Sequence, residues 1–329
     1  MSTIQQTPNG DPSVLPKSYQ ELAEKLGSAE ARRVMRGKAV YTFEIPKKGT
    51  TETRTVEALE TNARTWMKQV NAELQSEAKA RGIVHPKATG FVPRKGNNTA
   101  AKLVHNRHGK TAFGLVSQDL KSAFPNVSER QVREALREVG LAGFELHAVT
   151  KATCHEGHLA TGSPVSPLIL NIVLREMDDE LEKLAKRWAG TYTRYADDLS
   201  ITTRSTNRRK IARLKRIVQA IIRGAGAIPH PKKNAAKVIG RHPSEVGEVV
   251  GVMLHNEHAR KAPKRLKRKL RALERQQTLH GLCENPRYCS LCLQTEGLRK
   301  YVSFITHVGR SRAKKRDPHL DSQYQLSLW

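Results

Sequence analysis

The stretch Tyr192-Thr-Arg-Tyr-Ala-Asp-Asp-Leu-Ser-Ile-Thr-Thr203 limits the folds open to this chain more than any other segment. Its arms are rich in Tyr, Thr and Ile, which suit a pleated, half-buried surface, and the Ala-Asp-Asp between them reads as a tight hairpin with two carboxylates at its tip. Adjacent like charges at one turn repel, so structure alone explains them poorly, although Asp-Asp also occurs on ordinary exposed turns. A third carboxylate ends another β-like run. Phe113-Gly-Leu-Val-Ser-Gln-Asp-Leu120 is apolar and closes on Asp119, and the capping box Ser128-Glu-Arg-Gln131 behind it opens a helix over 129–138. If the hairpin lies beside the Asp119 strand, the acids converge, and Mg²⁺ or Mn²⁺ relieves their repulsion with oxygen ligands. Two such ions about 3.5 to 4 Å apart serve an in-line phosphoryl displacement.

The charge balance narrows the substrate. The 329 residues hold 58 Lys plus Arg against 31 Asp plus Glu, a net charge of +27 with His neutral. A chain so basic repels itself unless a polyanion supplies counter-charge, and nucleic acid is the first partner to consider. An anionic membrane is the rival, but residues 1–16 carry no Lys or Arg, and the longest apolar run, Leu168 to Leu174, is broken by Asn171. The expectation is therefore no signal peptide, no transmembrane helix and a cytoplasmic location. Four cysteines in a chain of this length do not form a secreted disulfide framework. A basic protein with acids at strand ends points to a nucleic-acid polymerase or nuclease.

Organisation follows from local pattern. Residues 1–16 are polar and aperiodic and read as a disordered tail. Tyr19 to Arg36 reads as helix, with Gly27 as a stop, and Tyr41-Thr-Phe-Glu-Ile-Pro-Lys-Lys-Gly49 followed by Thr53-Arg-Thr-Val-Glu57 reads as a hairpin with Lys47 and Lys48 at its tip. Leu159-Ala-Thr-Gly-Ser-Pro-Val-Ser-Pro-Leu-Ile-Leu-Asn171 is a Gly-Ser-Pro loop feeding a helix, with Ser166 as cap, Pro167 in the first turn, and Met177, Leu181 and Leu184 continuing its buried face. Residues 260–316 hold seventeen Lys or Arg and three Glu. There a helix places Leu266, Leu270 and Leu273 on one face and Lys264, Arg265, Lys267, Arg268, Lys269 and Arg271 on the remainder, a pattern suited to tracking RNA phosphates.

Three segments taken in order resemble the palm motifs of reverse transcriptases: Asp119-Leu-Lys-Ser-Ala-Phe-Pro-Asn-Val127, Gly162-Ser-Pro-Val-Ser-Pro-Leu-Ile-Leu-Asn171 and Tyr195-Ala-Asp-Asp198. The Tyr41–Gly49 hairpin with Arg54, Ala88-Thr-Gly-Phe91, Asn98 with a following His, and Val249-Val-Gly251 resemble the bacterial retron branch. The resemblance implies an α+β right-hand polymerase fold of fingers, palm (an antiparallel sheet with helices on one face) and helical thumb. The expected divisions are a tail at 1–16, N-terminal helices and fingers at 17–115, palm with an interleaved fingers segment at 116–256, and a basic thumb at 257–329. It also implies RNA-directed DNA synthesis from dNTPs, with a structured noncoding RNA as template and 2′-hydroxyl primer, an RNA–DNA hybrid product and an effector protein in antiphage defence.

Carried onto this chain, the resemblance makes Asp119, Asp197 and Asp198 the catalytic metal ligands and Phe124 the aromatic that excludes a ribose 2′-hydroxyl. Gly162, Lys47 and Arg54 would serve nucleotide or template, and Lys237, with Lys233 as competitor, would approach the leaving pyrophosphate. Two departures stand out: Ala160-Thr161-Gly162 where many relatives have Pro-Gln-Gly, and Val250 where retron enzymes have Thr. They keep open a reverse transcriptase of another defence or intron lineage, and a non-catalytic RNA-binding scaffold is the reading from a different class.

His280, Cys283, Cys289 and Cys292 form H-x2-C-x5-C-x2-C, a spacing that suits a closed tetrahedral Zn²⁺ site bracing the thumb. Coincidence, or burial of one thiol pair, is the plainer alternative. Cys154 stands alone and reads as packing.

Overall fold

The computed structural model describes residues 14–46, 53–108, 111–242, 245–254, 264–280 and 289–307. They divide into two compact units, each made of two stretches of chain: residues 1–84 with 122–175, and residues 85–121 with 176–329.

The first unit is mainly helical. Helices α1 (Tyr19–Leu26) and α2 (Ser28–Met35) occupy the span expected to be helical over 19–36, and Gly27, the expected stop, stands between them at φ 80°. An antiparallel hairpin follows, β1 (Val40–Pro46) with β2 (Thr53–Leu59), in a register running from Val40 opposite Leu59 to Pro46 opposite Thr53. Helix α3 (Thr61–Ala80) buries Trp66, Met67, Val70 and Leu74. Its Trp66 Nε1 donates to the carbonyl of Val14 at 2.9 Å, which anchors the end of the segment expected to be a structureless tail. Helix α5 (Glu129–Val139) starts with the expected capping box, Ser128 and Gln131 bonding reciprocally, and ends at the left-handed Gly140. Helix α6 (Gly143–Thr153) packs on it and leads into the short pair β4 (Cys154–His155) and β5 (His158–Leu159).

One expectation fails here. Ser166 does not cap the next helix: α7 (Ser166–Val173) starts from Val165, and the Ser166 hydroxyl is buried, donating to the carbonyl of Ala160. Nor does that helix continue to Leu184. It stops at Leu174, and a separate helix α8 (Arg175–Arg187) buries Met177, Leu181 and Leu184.

The second unit is built on a four-stranded antiparallel sheet in the order β6-β7-β3-β8, from β3 (Phe113–Leu120), β6 (Tyr192–Tyr195), β7 (Asp198–Thr203) and β8 (Pro229–Ile239). Side chains on β3 alternate between its two faces. The even-numbered residues face α9 (Arg208–Gly224): Gly114 lies against Ile211, and Gln118 Oε1 accepts from Gln219 at 2.9 Å. On the odd-numbered face, Phe113 and Leu115 form one cluster with Ala100, Ala101 and Val104 of α4 (Asn97–His108) and with β9 (Gly247–Val249) and β10 (Val252–Leu254). Helices α10 (Lys264–His280) and α11 (Ser290–His307) pack together, and Leu266 and Tyr301 add their partly buried side chains to that cluster. No helix among the described residues is long and apolar enough to cross a membrane.

Candidate active site

The three carboxylates are brought together by strand register. Asp119 lies directly opposite Asp198 in the β3–β7 ladder, and Asp198 also pairs with Tyr195 to close the β6–β7 hairpin around Ala196 and Asp197. The carbonyl of Asp197 accepts from the Leu120 amide at 2.9 Å, so the turn is stitched to the end of β3. Burial, then the neighbouring Asp119 and Asp197 charges, push Asp198 up to about 7. Burial and Asp119 push Asp197 upward as well.

Lys233 supplies the local counter-charge. Its Nζ lies 3.0 Å from Asp119 Oδ2, and that hydrogen bond holds the ammonium above the usual lysine range. The reach depends on an irregularity in β8: Gln118 pairs with Asn234 but Leu120 pairs with Pro229, leaving 230–233 bulged out opposite Asp119. His230 Nδ1 accepts from the amides of Lys232 and Lys233, and Asn234 Nδ2 donates to the carbonyls of His230 and Pro231, which gives the bulge a definite shape. Lys237, the first choice from sequence, lies opposite Leu115, four residues back along β3 from Asp119, and its side chain is exposed. The geometry puts Lys233 at the carboxylates instead.

The donor set suits a hard divalent cation, since carboxylate oxygens crowded enough to repel are already drawing in an ammonium. Among the described residues no three His, Cys, Asp or Glu side chains are arranged around one common ion position. Asp119 is turned to Lys233.

Beneath the turn is a device that sequence reasoning missed. Arg194 forms a bidentate ion pair with Asp178 of α8, with Nε to Oδ1 at 2.8 Å and Nη2 to Oδ2 at 2.6 Å, and both side chains are 0% exposed. Tyr192 donates to the same carboxylate at 2.6 Å. The remaining guanidinium nitrogen, Nη1, donates to the Ala196 carbonyl at 3.0 Å. Ala196 stands at φ 55°, where side chains are disfavoured, and Gly90 lies so close below that a Cβ there would be 2.5 Å from the Ala196 amide nitrogen. The available signal was a lone Arg inside an otherwise uncharged strand, which demands a buried acid.

The candidate residues of the first unit have structural contacts of their own. Phe124 is buried, 9% exposed, in the turn at 121–126. Gly162 passes so near β2 that a Cβ would fall 2.2 Å from the Glu57 carbonyl oxygen. Thr161, the residue standing in place of the family's amide, is engaged twice by Glu57: its hydroxyl accepts from the Glu57 amide at 3.1 Å, and its own amide donates to Oε2 at 3.0 Å. His158 Nε2 bonds the other carboxylate oxygen at 2.8 Å. Lys47 and Lys48, and the Arg54 side chain, lie outside the described residues, although Arg54 pairs with Ile45 through the backbone.

The sequence from 45 to 292 matches the family described as reverse transcriptase (RNA-dependent DNA polymerase). The chain belongs to that family. It is similar to the Retron Mx162 reverse transcriptase of Myxococcus xanthus, 33% identical over 57% of this chain and 43% of that one. It is also similar to the Retron Ec86 reverse transcriptase of Escherichia coli, 24% identical over 59% of this chain and 55% of the other. The chain thus spans about half the length of these curated relatives. In structure it resembles a telomerase from Candida albicans, solved with a fragment of telomeric RNA, with a TM-score of 0.51 and 11% identity over 94% of this chain and 62% of that one. That likeness speaks for the polymerase fold alone.

Most of the other residues singled out from sequence lie in the C-terminal helices. On α10, Leu273 is buried and Leu266 and Leu270 are half-buried, while Lys264, Arg265, Arg268, Lys269 and Arg271 are exposed and Lys267 is half-buried. Arg265 is paired with Glu248 at 2.5 Å. Of the four residues read as a zinc clip, Cys283 and the His280 side chain lie outside the described residues. Cys292 is buried, with Gln277 Nε2 3.7 Å from its sulfur. Cys154 is buried, and burial pushes its thiol up to about 12, as packing requires.

Proposed function

We propose that this chain is an RNA-directed DNA polymerase of retron type. It would copy a structured noncoding RNA, prime from a 2′-hydroxyl of that RNA, and act with an effector protein in antiphage defence. The observation that carries the polymerase reading is Asp119 opposite Asp198, with Asp197 in the adjoining turn, in a chain of the reverse transcriptase family. The retron assignment and the RNA partner rest on similarity to the two retron enzymes.

On this reading the second unit supplies the palm sheet and the thumb helices, and the β1–β2 hairpin belongs to the fingers. Two Mg²⁺ or Mn²⁺ ions held by Asp119, Asp197 and Asp198 would supply charge neutralisation for the attacking hydroxyl and the leaving pyrophosphate. Lys233, whose Nζ lies 3.0 Å from Asp119 Oδ2, would approach the leaving pyrophosphate and donate a proton to it. Arg194 holds the turn from below, through Ala196. Phe124 would restrict the sugar pocket to deoxynucleotides, Gly162 and Arg54 would line the path of nucleotide or template with Lys47, and the cationic side of α10 would meet RNA phosphates. His280, Cys283, Cys289 and Cys292 would hold a Zn²⁺ ion that braces the thumb. A cytoplasmic location accords with this role.

The test is primer extension on an annealed RNA template with dNTPs. Asp119→Asn and Asp197→Asn should each abolish synthesis while RNA binding stays within a few fold, because a ligand is lost but the basic surfaces are not. Extension at the wild-type rate by either variant refutes the site. Phe124→Ala should raise ribonucleotide incorporation relative to deoxynucleotide.

A further inference from the structure

Between Asp198 and Glu245 the sequence carries twelve Lys or Arg and no Asp or Glu, where the overall acid content of the chain would place about four acids. At the centre of this stretch is α9, whose apolar side, Ile211, Leu214, Val218 and Ile222, is buried. Its contacts with Gly114 and Gln118 put it on the face of β3 opposite Asp119.

The outward side of α9 is a line of guanidinium groups. Arg209, Arg213, Arg216 and Arg223 recur at intervals of four, three and seven residues, which keeps them on one stripe along roughly 21 Å of helix. All four side chains are exposed, and among the described residues none of them has a carboxylate within ion-pairing distance. On the basic side of α10, by comparison, Arg265 is paired with Glu248. Arg208, Arg209 and Lys210 also crowd the first turn of α9, where the helix dipole disfavours cations and an acid would be the stabilising choice. Among the described residues no carboxylate compensates this arrangement, which leaves these cations open to counter-charge from outside.

We propose that the arginine stripe of α9 is a second nucleic-acid surface, gripping the phosphates of a base-paired stem in a structured RNA on the side of the sheet away from the carboxylates. A straight helix holds its charges at fixed spacing, which suits the regular phosphate line of a stem, and guanidinium forks match phosphate oxygens bidentately. A membrane is the poorer partner, because the apolar side of α9 is spent on the sheet and none is left to enter a lipid interface. The choice of RNA as the polyanion rests on the polymerase reading above.

The test compares the full chain with its Arg209→Gln/Arg213→Gln/Arg216→Gln variant, using a base-paired RNA hairpin, a DNA hairpin of the same sequence, anionic phosphatidylserine vesicles, and extension of a short pre-annealed primer and template. The variant should bind the RNA hairpin roughly tenfold or more weakly at moderate salt, with the slope of log affinity against log salt shallower by about two to three. Extension on the short duplex should stay within about twofold of wild type. Should the triple variant fail to fold, Arg213→Gln and Arg216→Gln singly, each lowering the slope by about one, carry the same test. An unchanged affinity and slope, a loss confined to the DNA hairpin, or a loss confined to the vesicles overturns the proposal. If wild type fails to extend the primer but the variant still loses RNA binding, the polymerase reading falls and the α9 surface stands.

Discussion

Arg194 and Asp178 face each other with no solvent-exposed surface on either side chain, and the same guanidinium holds the carbonyl of Ala196 in the turn that carries Asp197. A charge pair so placed has cost its desolvation already, and removing one partner strands the other.

Arg194→Met should therefore lower stability by about 3 to 5 kcal/mol, read from urea unfolding. Replacing the whole group, Arg194→Met with Asp178→Leu and Tyr192→Phe, should recover more than half of that loss because no buried polar group is left alone. DNA synthesis by the triple variant should stay depressed, since the Ala196 carbonyl has lost its anchor. A triple variant as active as wild type would show that the turn needs no support from below.

Lys233 and Lys237 separate by activity. Lys233→Met should reduce the rate of nucleotide addition by roughly 10²-fold, the usual scale for a positioned proton donor, while Lys237→Met should stay within a few fold. Single-turnover extension at saturating dNTP measures both. The reverse order would move the proton donor back to the position favoured by sequence alone.

His108 makes stability depend on pH. Its ring is stacked on Phe113 at a centroid distance of 4.3 Å, Nε2 and Thr202 Oγ1 share a 2.7 Å hydrogen bond, and Nδ1 has no partner among the described residues. Burial, with the Arg107 and Arg204 charges adding to it, lowers its pKa from 6.5 to about 4. Between those values the unfolded chain takes up a proton that the folded chain refuses, so this contribution is fully present above pH 6.5 and is lost as the pH falls toward 4. The loss should reach about 3 kcal/mol at most. Denaturant midpoints measured across this window should fall less steeply for His108→Gln than for wild type.

Gly162→Ala should disturb the first unit, because its new Cβ would meet the backbone carbonyl of Glu57, which cannot swing aside as a side chain would. A destabilisation of about 1 to 3 kcal/mol, the scale of overpacking, is expected in thermal or denaturant melts. A neutral Gly162→Ala with reduced synthesis would instead assign the glycine to nucleotide approach.

Much of the local structure was legible in the sequence because its causes are local. The β1–β2 and β6–β7 hairpins follow from alternating residues and turn chemistry, and the α5 capping box from Ser128 and Gln131. The positions of Asp119, Asp197 and Asp198 at a strand end and a turn were legible for the same reason, since the neighbours of each mark them.

Tertiary structure decided the rest. Helix α7 stops at Leu174 although its apolar pattern runs on, so periodicity alone joined two helices. Val250, read from sequence only as a missing hydroxyl, stands at φ 47° in the β9–β10 turn beside Gly251, which has a glycine's freedom there. Lys233 reaches Asp119 because of a bulge in β8, and no spacing rule marks which residue a bulge will expose. Arg194 finds Asp178 sixteen residues away only once α8 lies against the sheet. Pattern along a chain sets which face of an element is apolar, but register, bulges and helix docking are settled by what the other strands and helices bury. Those decide which charges meet.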